Sequence, residues 1–475
     1  MGIVTKVIKK EFLSAFRDRQ VTFALVIIIS LFTLGGIGGF LNYGHQKKQI
    51  EILKKEKRDQ WLGQGNKHPH IAAHYGTFVF KPKTGLSFFD FGLDAYTGSS
   101  IYLEAHYQHE FMFRQAQDFG AMIRFGELSI ALILQLLVPL LIIFLCFSAF
   151  VTERENGTLR ILASQGVSMT TVAWGKILAY FSLVSGLLLL TFAILFGLVF
   201  MSPQFSLTAD TLARIGVIAL AYLAYFFVFI CLSVVISYRS KYARNALLSL
   251  LVVWILFTII VPKTTANFAS NLYKLPSLAI YEKSIADDIS SKILRNPTQD
   301  TLITNFRDRL LKKYQVNDVN KLPLNFEGAY AQVYEEFGNK IHDVHSDSLL
   351  HKIQAQNRLS TFMGFIDPFL AVRNLSMTMA STDFNGYTDF QKKAEDYRRY
   401  LVKQMNADYR DHSHTGEFYE YKADKTLWGS IHDFRYTVPD LKISIGQLLK
   451  EIFALLIWVI ISVIVVNKIT KKTIL

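Results

Sequence analysis

Cysteine is nearly missing from this chain: Cys146 and Cys231 are the two in 475 residues, and both fall inside apolar runs. That excludes a disulfide-stapled fold and a Cys-x-x-Cys metal site, and leaves buried thiols as small packing residues. Charge is scarce as well, at 19% of residues against about 25% in a soluble domain. The deficit is local, because apolar runs of membrane length alternate with polar segments. No G-x-x-x-x-G-K-[S/T] is present: Gly175-Lys176 has Thr170 where the first glycine would stand. The chain therefore has no P-loop with which to bind a nucleotide. His109-Glu110-Phe111-Met112-Phe113 lacks the second histidine of H-E-x-x-H, which excludes that zinc-protease chemistry. No nucleophile–base pattern stands out, so no enzyme is expected. The net charge of +13 is not a nucleic-acid signature, since the lysines and arginines border apolar runs instead of interleaving with aromatics.

What is present is a series of spans. Val4, Ile8, Phe12 and Phe16 recur every four residues, with Lys6, Lys9, Lys10, Arg17 and Arg19 around them. This pattern predicts a helix lying in the membrane interface over residues 1–20. Apolar runs then predict transmembrane segments at 21–41, 127–151, 172–201, 212–237, 243–261 and 450–467, each sized for about 30 Å of hydrocarbon. Arg154 and Arg160 follow the second span, Arg239, Lys241 and Arg244 fill the turn after the fourth, and Lys468, Lys471 and Lys472 end the chain. The turn Ser202–Thr211 carries no Lys or Arg. One topology satisfies these loops, with both termini in the cytoplasm and a tail at 468–475. It puts segments 42–126 and 262–449 outside, where helical spacing and dense charge in Asp300–Tyr314, Ala329–Gln354 and Tyr387–Tyr409 predict a mainly helical domain. The expected fold class is thus an all-α integral membrane protein of six transmembrane helices. Ionisable groups are rare within the spans: Glu127 and Arg214 sit at borders, and Gln135 and Asn245 are neutral. That scarcity speaks against a proton-coupled antiporter and for an apolar, amphipathic or bulky cargo. Gly35, Gly36, Gly38 and Gly39 permit close approach in the first span, including a G-x-x-x-G contact.

The most informative stretch, 152–171, leaves the second span. Glu153-Arg154-Glu155-Asn156-Gly157-Thr158-Leu159-Arg160 is followed by Ile161-Leu162-Ala163-Ser164-Gln165-Gly166-Val167-Ser168. Gly157 supplies a break, and Leu159, Ile161 and Leu162 form a short apolar stripe rimmed by charge, the composition of a protein contact. This stretch resembles the permease subunits of ABC type-2 exporters, in which E-R-E-x-G-T-L and a following L-x-S-x-G/P-V-S lie between the second and third spans. Glu153, Arg154, Glu155, Gly157, Thr158 and Leu159 match, as do Leu162, Ser164, Val167 and Ser168. The resemblance implies a coupling helix seated in an ABC ATPase subunit that binds the ATP, and a second permease, identical or paralogous, completing the pathway. It implies no cofactor in this chain, membrane lipid as its surroundings, and a multi-pass place in the inner membrane of a prokaryotic cell. A non-transporting mechanotransmitter that drives an extracytoplasmic partner is the alternative implied by the large outer segments.

The outer segments resemble a narrower group of such permeases with a large extracytoplasmic domain of unknown function. Pro69-His70-Ile71-Ala72-Ala73-His74-Tyr75-Gly76, Leu103-Glu104-Ala105-His106, Arg373-Asn374-Leu375-Ser376-Met377 and the Trp428 to Pro439 stretch carry that likeness. His70, His74, His106 and His109 are the candidate metal ligands, because a spacing of four puts His70 and His74 on one helical face. Pro69 interrupts regular helix, and histidines in hydrogen-bonded turns are common, so the expected role is structural.

Overall fold

The computed structural model describes residues 2–112, 128–200, 207–295 and 298–471. Glu127, the end of the segment 42–126 and half of the turn Ser202–Thr211 lie outside them. Among the described residues six helices are long and apolar enough to cross a membrane. Helix α1, Ile3–Arg17, precedes α2, Arg19–Leu62. The other spans are α4, Ile130–Glu155, α6, Met169–Phe200, α7, Ala209–Arg239, α8, Ala243–Leu272, and α16, Leu449–Thr470. Short α3, Pro69–Tyr75, lies outside the bundle, and α5, Thr158–Ser164, sits between α4 and α6. The fold is that of an all-α membrane protein with a helical domain.

Two spans run past their expected borders. Helix α2 continues for 44 residues, about 66 Å at 1.5 Å per residue, roughly twice the hydrocarbon thickness. The reason is local: from Gln46 to Gln60 the chain is mostly Lys, Glu, Gln, Ile and Leu with no proline or glycine, and the helix stops at Gly63. Helix α8 passes through Pro262 to Leu272, because a π-helical turn at Leu256–Ile260 directly precedes the proline. Pro139 in α4 is preceded in the same way, by a π-helical turn at Ile133–Leu137. A proline removes the N–H that its i−4 carbonyl needs and clashes with that carbonyl, and the wider π turn relieves both. The carbonyls freed in α4 are taken up by neighbours. Tyr225 Oη donates to Gln135 O at 3.0 Å, and Trp254 Nε1 to Leu136 O at 3.1 Å.

The spans share one apolar core, with Phe32, Leu134, Ile142, Val184, Phe226 and Val234 at its centre. Gly35 and Gly39 do approach neighbours closely, but the neighbours are strands of loop: an added Cβ would lie 2.9 Å from Leu128 O and 2.9 Å from Phe88 O.

The outer domain contains α9, Leu278–Arg295, α10, Thr298–Tyr314, α11, Phe326–Met363, α12, Pro368–Ala380, α13, Phe384–His412, α14, Lys425–Ser430, and α15, Leu441–Gln447. It also holds a three-stranded antiparallel sheet of β1, Thr77–Phe80, β2, Ser100–Leu103, and β3, Gln108–Met112. The sheet packs on α13 through Val79, Ile101, Leu103, Phe390 and Ala394. A second small core joins the far end of α2 to α14, where Trp61 meets Trp428 edge to face. The outer segment 262–449, expected to fold in water, is not separate from the spans. Helix α12 buries Phe369, Leu370, Val372, Leu375 and Met379 in the same core as α7 and α16. Arg214 of α7, itself buried, pins this junction by donating to Met379 O at 3.2 Å and Pro439 O at 2.6 Å while pairing with Asp210 at 2.6 Å.

Candidate functional site

At the C-terminal end of α4 the charged turn divides into anchored and outward-facing residues. Glu153 is buried, and its Oε1 accepts from Lys176 Nζ of α6 at 3.0 Å and from Lys10 Nζ of α1 at 2.5 Å. Lys176 also reaches Glu11 Oε1 at 2.6 Å, and Tyr180 Oη donates to Glu11 Oε2 at 2.8 Å. Burial alone would raise the Glu11 carboxyl and lower the Lys10 ammonium. The opposite charges around them win, so Glu11 is held below and Lys10 above its ordinary value. The close fit of α1 on α6 that this network needs is provided by Gly175, where a Cβ would lie 2.7 Å from Val7 Cγ1.

Arg154 caps the neighbouring span. Its Nη1 and Nη2 donate to Ser240 O at 2.6 Å and Tyr238 O at 2.7 Å, which are carbonyls at the C-terminal end of α7, where a cation also suits the helix dipole. Gly157 then takes a left-handed conformation at φ +73° and starts α5, and Gly166 repeats it at φ +73° beyond the end of that helix. The expected apolar stripe is only partly outward. Leu159 is 1% exposed and belongs to the core, Leu162 is half-buried, and Ile161 is 57% exposed. Glu155, Thr158 and Arg160 are exposed with Ile161. Of the seven residues singled out by sequence, Glu153, Arg154 and Leu159 therefore face the protein.

Glu11 and Lys176 were not among them. The available signals were that Glu11 is the single acid of α1 and that Lys176 sits two turns into an otherwise uncharged span.

In the domain beyond the spans, α3 brings two histidines together: His70 Nε2 and His74 Nε2 are 3.2 Å apart. The β2–β3 turn adds His106, in a left-handed conformation at φ +67°, with its ring centroid 5.0 Å from that of His74 and 5.4 Å from that of His70. The ligand nitrogens of these three all lie within 4.8 Å of one another. His106 Nδ1 pairs with Glu335 Oε2 of α11 at 2.7 Å, and Arg398 Nη1 holds Glu335 Oε1 at 2.5 Å. Burial would raise the Glu335 carboxyl, but the His106 hydrogen bond and the Arg398 charge bring it down to about 2. His109 points elsewhere, to Glu104 Oε1 at 2.5 Å.

Residues 289–437 match a family described as Domain of unknown function (DUF3526). The match runs from α9 to the segment after α14, and so covers Glu335, Arg398 and the junction helix α12 but neither the charged turn after α4 nor α3. No curated protein matches the chain.

Proposed function

We propose that the chain is the membrane-spanning subunit of an ATP-driven exporter, paired with a second permease and with a separate ATPase that docks on the 153–168 turn. One observation carries the reading: within a single short turn, Glu153, Arg154 and Leu159 bind to three different helices of the bundle while Glu155, Thr158, Arg160 and Ile161 face outward. A charged rim around an exposed isoleucine is a docking surface, and its inner side is wired to α1, α6 and α7. Closure of the ATPase pushes on α5, and the Glu153 ion pairs and the Arg154 cap pass that push into the spans. The nucleotide sits in the partner, because this chain has no P-loop. The chain lies in the cell membrane of a prokaryote with both termini in the cytoplasm, in keeping with the cationic loops.

Co-expression with the ATPase tests this. Ile161→Asp, on the exposed face, is expected to abolish copurification of the ATPase, and Gly157→Val to leave it bound but lower its turnover in vesicles. An ATPase that still copurifies with Ile161→Asp at full turnover overturns the docking surface. A second reading, a mechanotransmitter that moves an outer partner with nothing crossing the bilayer, is favoured by the unbroken course of α2 from Arg19 to Leu62. ATP-dependent solute uptake into inverted vesicles decides for the exporter, and its absence with intact ATP turnover decides for the mechanotransmitter.

A further inference from the structure

The outer histidines are close enough to ask what geometry they already satisfy. Two imidazole nitrogens bound to one tetrahedral metal at 2.0–2.1 Å sit about 3.3 Å apart, and His70 Nε2 and His74 Nε2 are 3.2 Å apart. They come from one turn of α3, where residues four apart share a face, and Pro69 opens that helix at its first position without breaking it. His106 arrives from a different element. Its Nδ1 is held by Glu335, which leaves Nε2 as the free ring nitrogen. A carboxylate behind one ring nitrogen, with the other turned to the site, is the arrangement that orients histidine as a metal ligand.

We propose that His70, His74 and His106 form a binding site for a divalent transition metal of the zinc class, with Glu335 orienting His106 and the fourth position open to water. His74 is exposed while His70 and His106 are half-buried, which gives the ion a way in. His70 Nδ1 and Asn406 Oδ1 are each buried without a hydrogen bond. A bound ion would cross-brace α3, the β2–β3 turn and α11 in a domain that has no cysteine to staple it. The inference does not depend on the exporter reading. The competing arrangement is a shared His70–His74 hydrogen bond with no ion.

The test uses the full-length protein in detergent, without a polyhistidine tag, stripped by a chelator and titrated with Zn2+ and with Co2+ as an optical probe. Expected are one Zn2+ per chain, the visible absorption of tetrahedral Co2+, and a rise in unfolding temperature with Zn2+. His74→Ala changes an exposed side chain and is expected to keep the fold while weakening Zn2+ binding at least 100-fold, roughly the upper end of what outer-shell losses produce. His106→Ala should weaken it likewise, and His109→Ala, outside the cluster, should leave it unchanged. Failure of the stripped wild type to take up Zn2+ overturns the site, as does wild-type affinity in His74→Ala and His106→Ala. An equal loss in His109→Ala overturns the choice of ligands.

Discussion

A cation taken out of water needs a fixed counter-charge, and two buried lysines show how this chain supplies one. Lys81, 4% exposed, pairs with Asp94 Oδ1 at 2.7 Å, and Lys83 takes Asp94 Oδ2 at 3.1 Å. Burial would raise the Asp94 carboxyl, but the two ammonium groups pull it down to about 2 from its ordinary 3.8. A folded-state value below the unfolded one means stability that is complete above about pH 4 and lost as pH falls toward 2. Asp94→Asn strands Lys81 and is expected to cost ~3–5 kcal/mol, seen as a lower unfolding midpoint at neutral pH, and to remove that acid-side slope. Lys176 is the second case. Lys176→Met leaves the buried Glu11 and Glu153 with the half-exposed Lys10 as their one shared cation, with a loss of about 3–5 kcal/mol expected. Adding Glu11→Gln should restore part of it, a non-additivity that thermal unfolding of the double variant reads directly. Neither pair is legible in sequence order. Glu11 and Lys176 are 165 positions apart and Lys81 and Asp94 13 apart, at spacings that no helix or strand period links.

At the scale of elements, the turn between α4 and α6 and the two π turns are where the backbone leaves regular α-helix. Gly157 has open space around its missing Cβ, so replacing it tests backbone strain alone. A branched residue held at φ +73° costs about 1–3 kcal/mol, whereas Asn tolerates the left-handed region. ATPase turnover in reconstituted complexes should therefore fall in the order Gly157, Gly157→Asn, Gly157→Ala, Gly157→Val. In α4, Tyr225→Phe leaves Gln135 O unpaired in the core at a cost of about 1–3 kcal/mol. Pro139→Ala in that background returns a donor to the same carbonyl and should recover most of the loss. The helices themselves were readable, since long apolar runs and four-residue spacing depend only on neighbours in the chain. Their true ends were less so: α2 overran its apolar part because nothing polar beyond Leu41 stops a helix. The sheet was missed although Thr77-Phe78-Val79-Phe80 and Ser100-Ile101-Tyr102-Leu103 are strand-like in composition. Each is four residues long, too short for its period to stand out.

Across the whole molecule, the spans and the outer domain are one mechanical object. Helix α2 passes from the bundle into the outer core at Trp61, and α12 returns from the outer domain to pack among the spans. Sidedness is directly measurable, because both native cysteines are buried and give a silent background. A membrane-impermeant maleimide should label Lys403→Cys in intact cells and Gln165→Cys after permeabilisation alone, both positions being exposed. Labelling of Gln165→Cys in intact cells would reverse the topology. By itself the sequence determined the six spans and the turn that begins at Glu153, because hydropathy, charge and helical period are properties of contiguous residues. Only the tertiary structure decided that Glu153 and Leu159 turn inward, that α12 joins the bundle, and that His106 meets His70 and His74. Those are contacts between residues far apart in the chain, and the energy that selects them is burial and pairing of groups that no local pattern brings together.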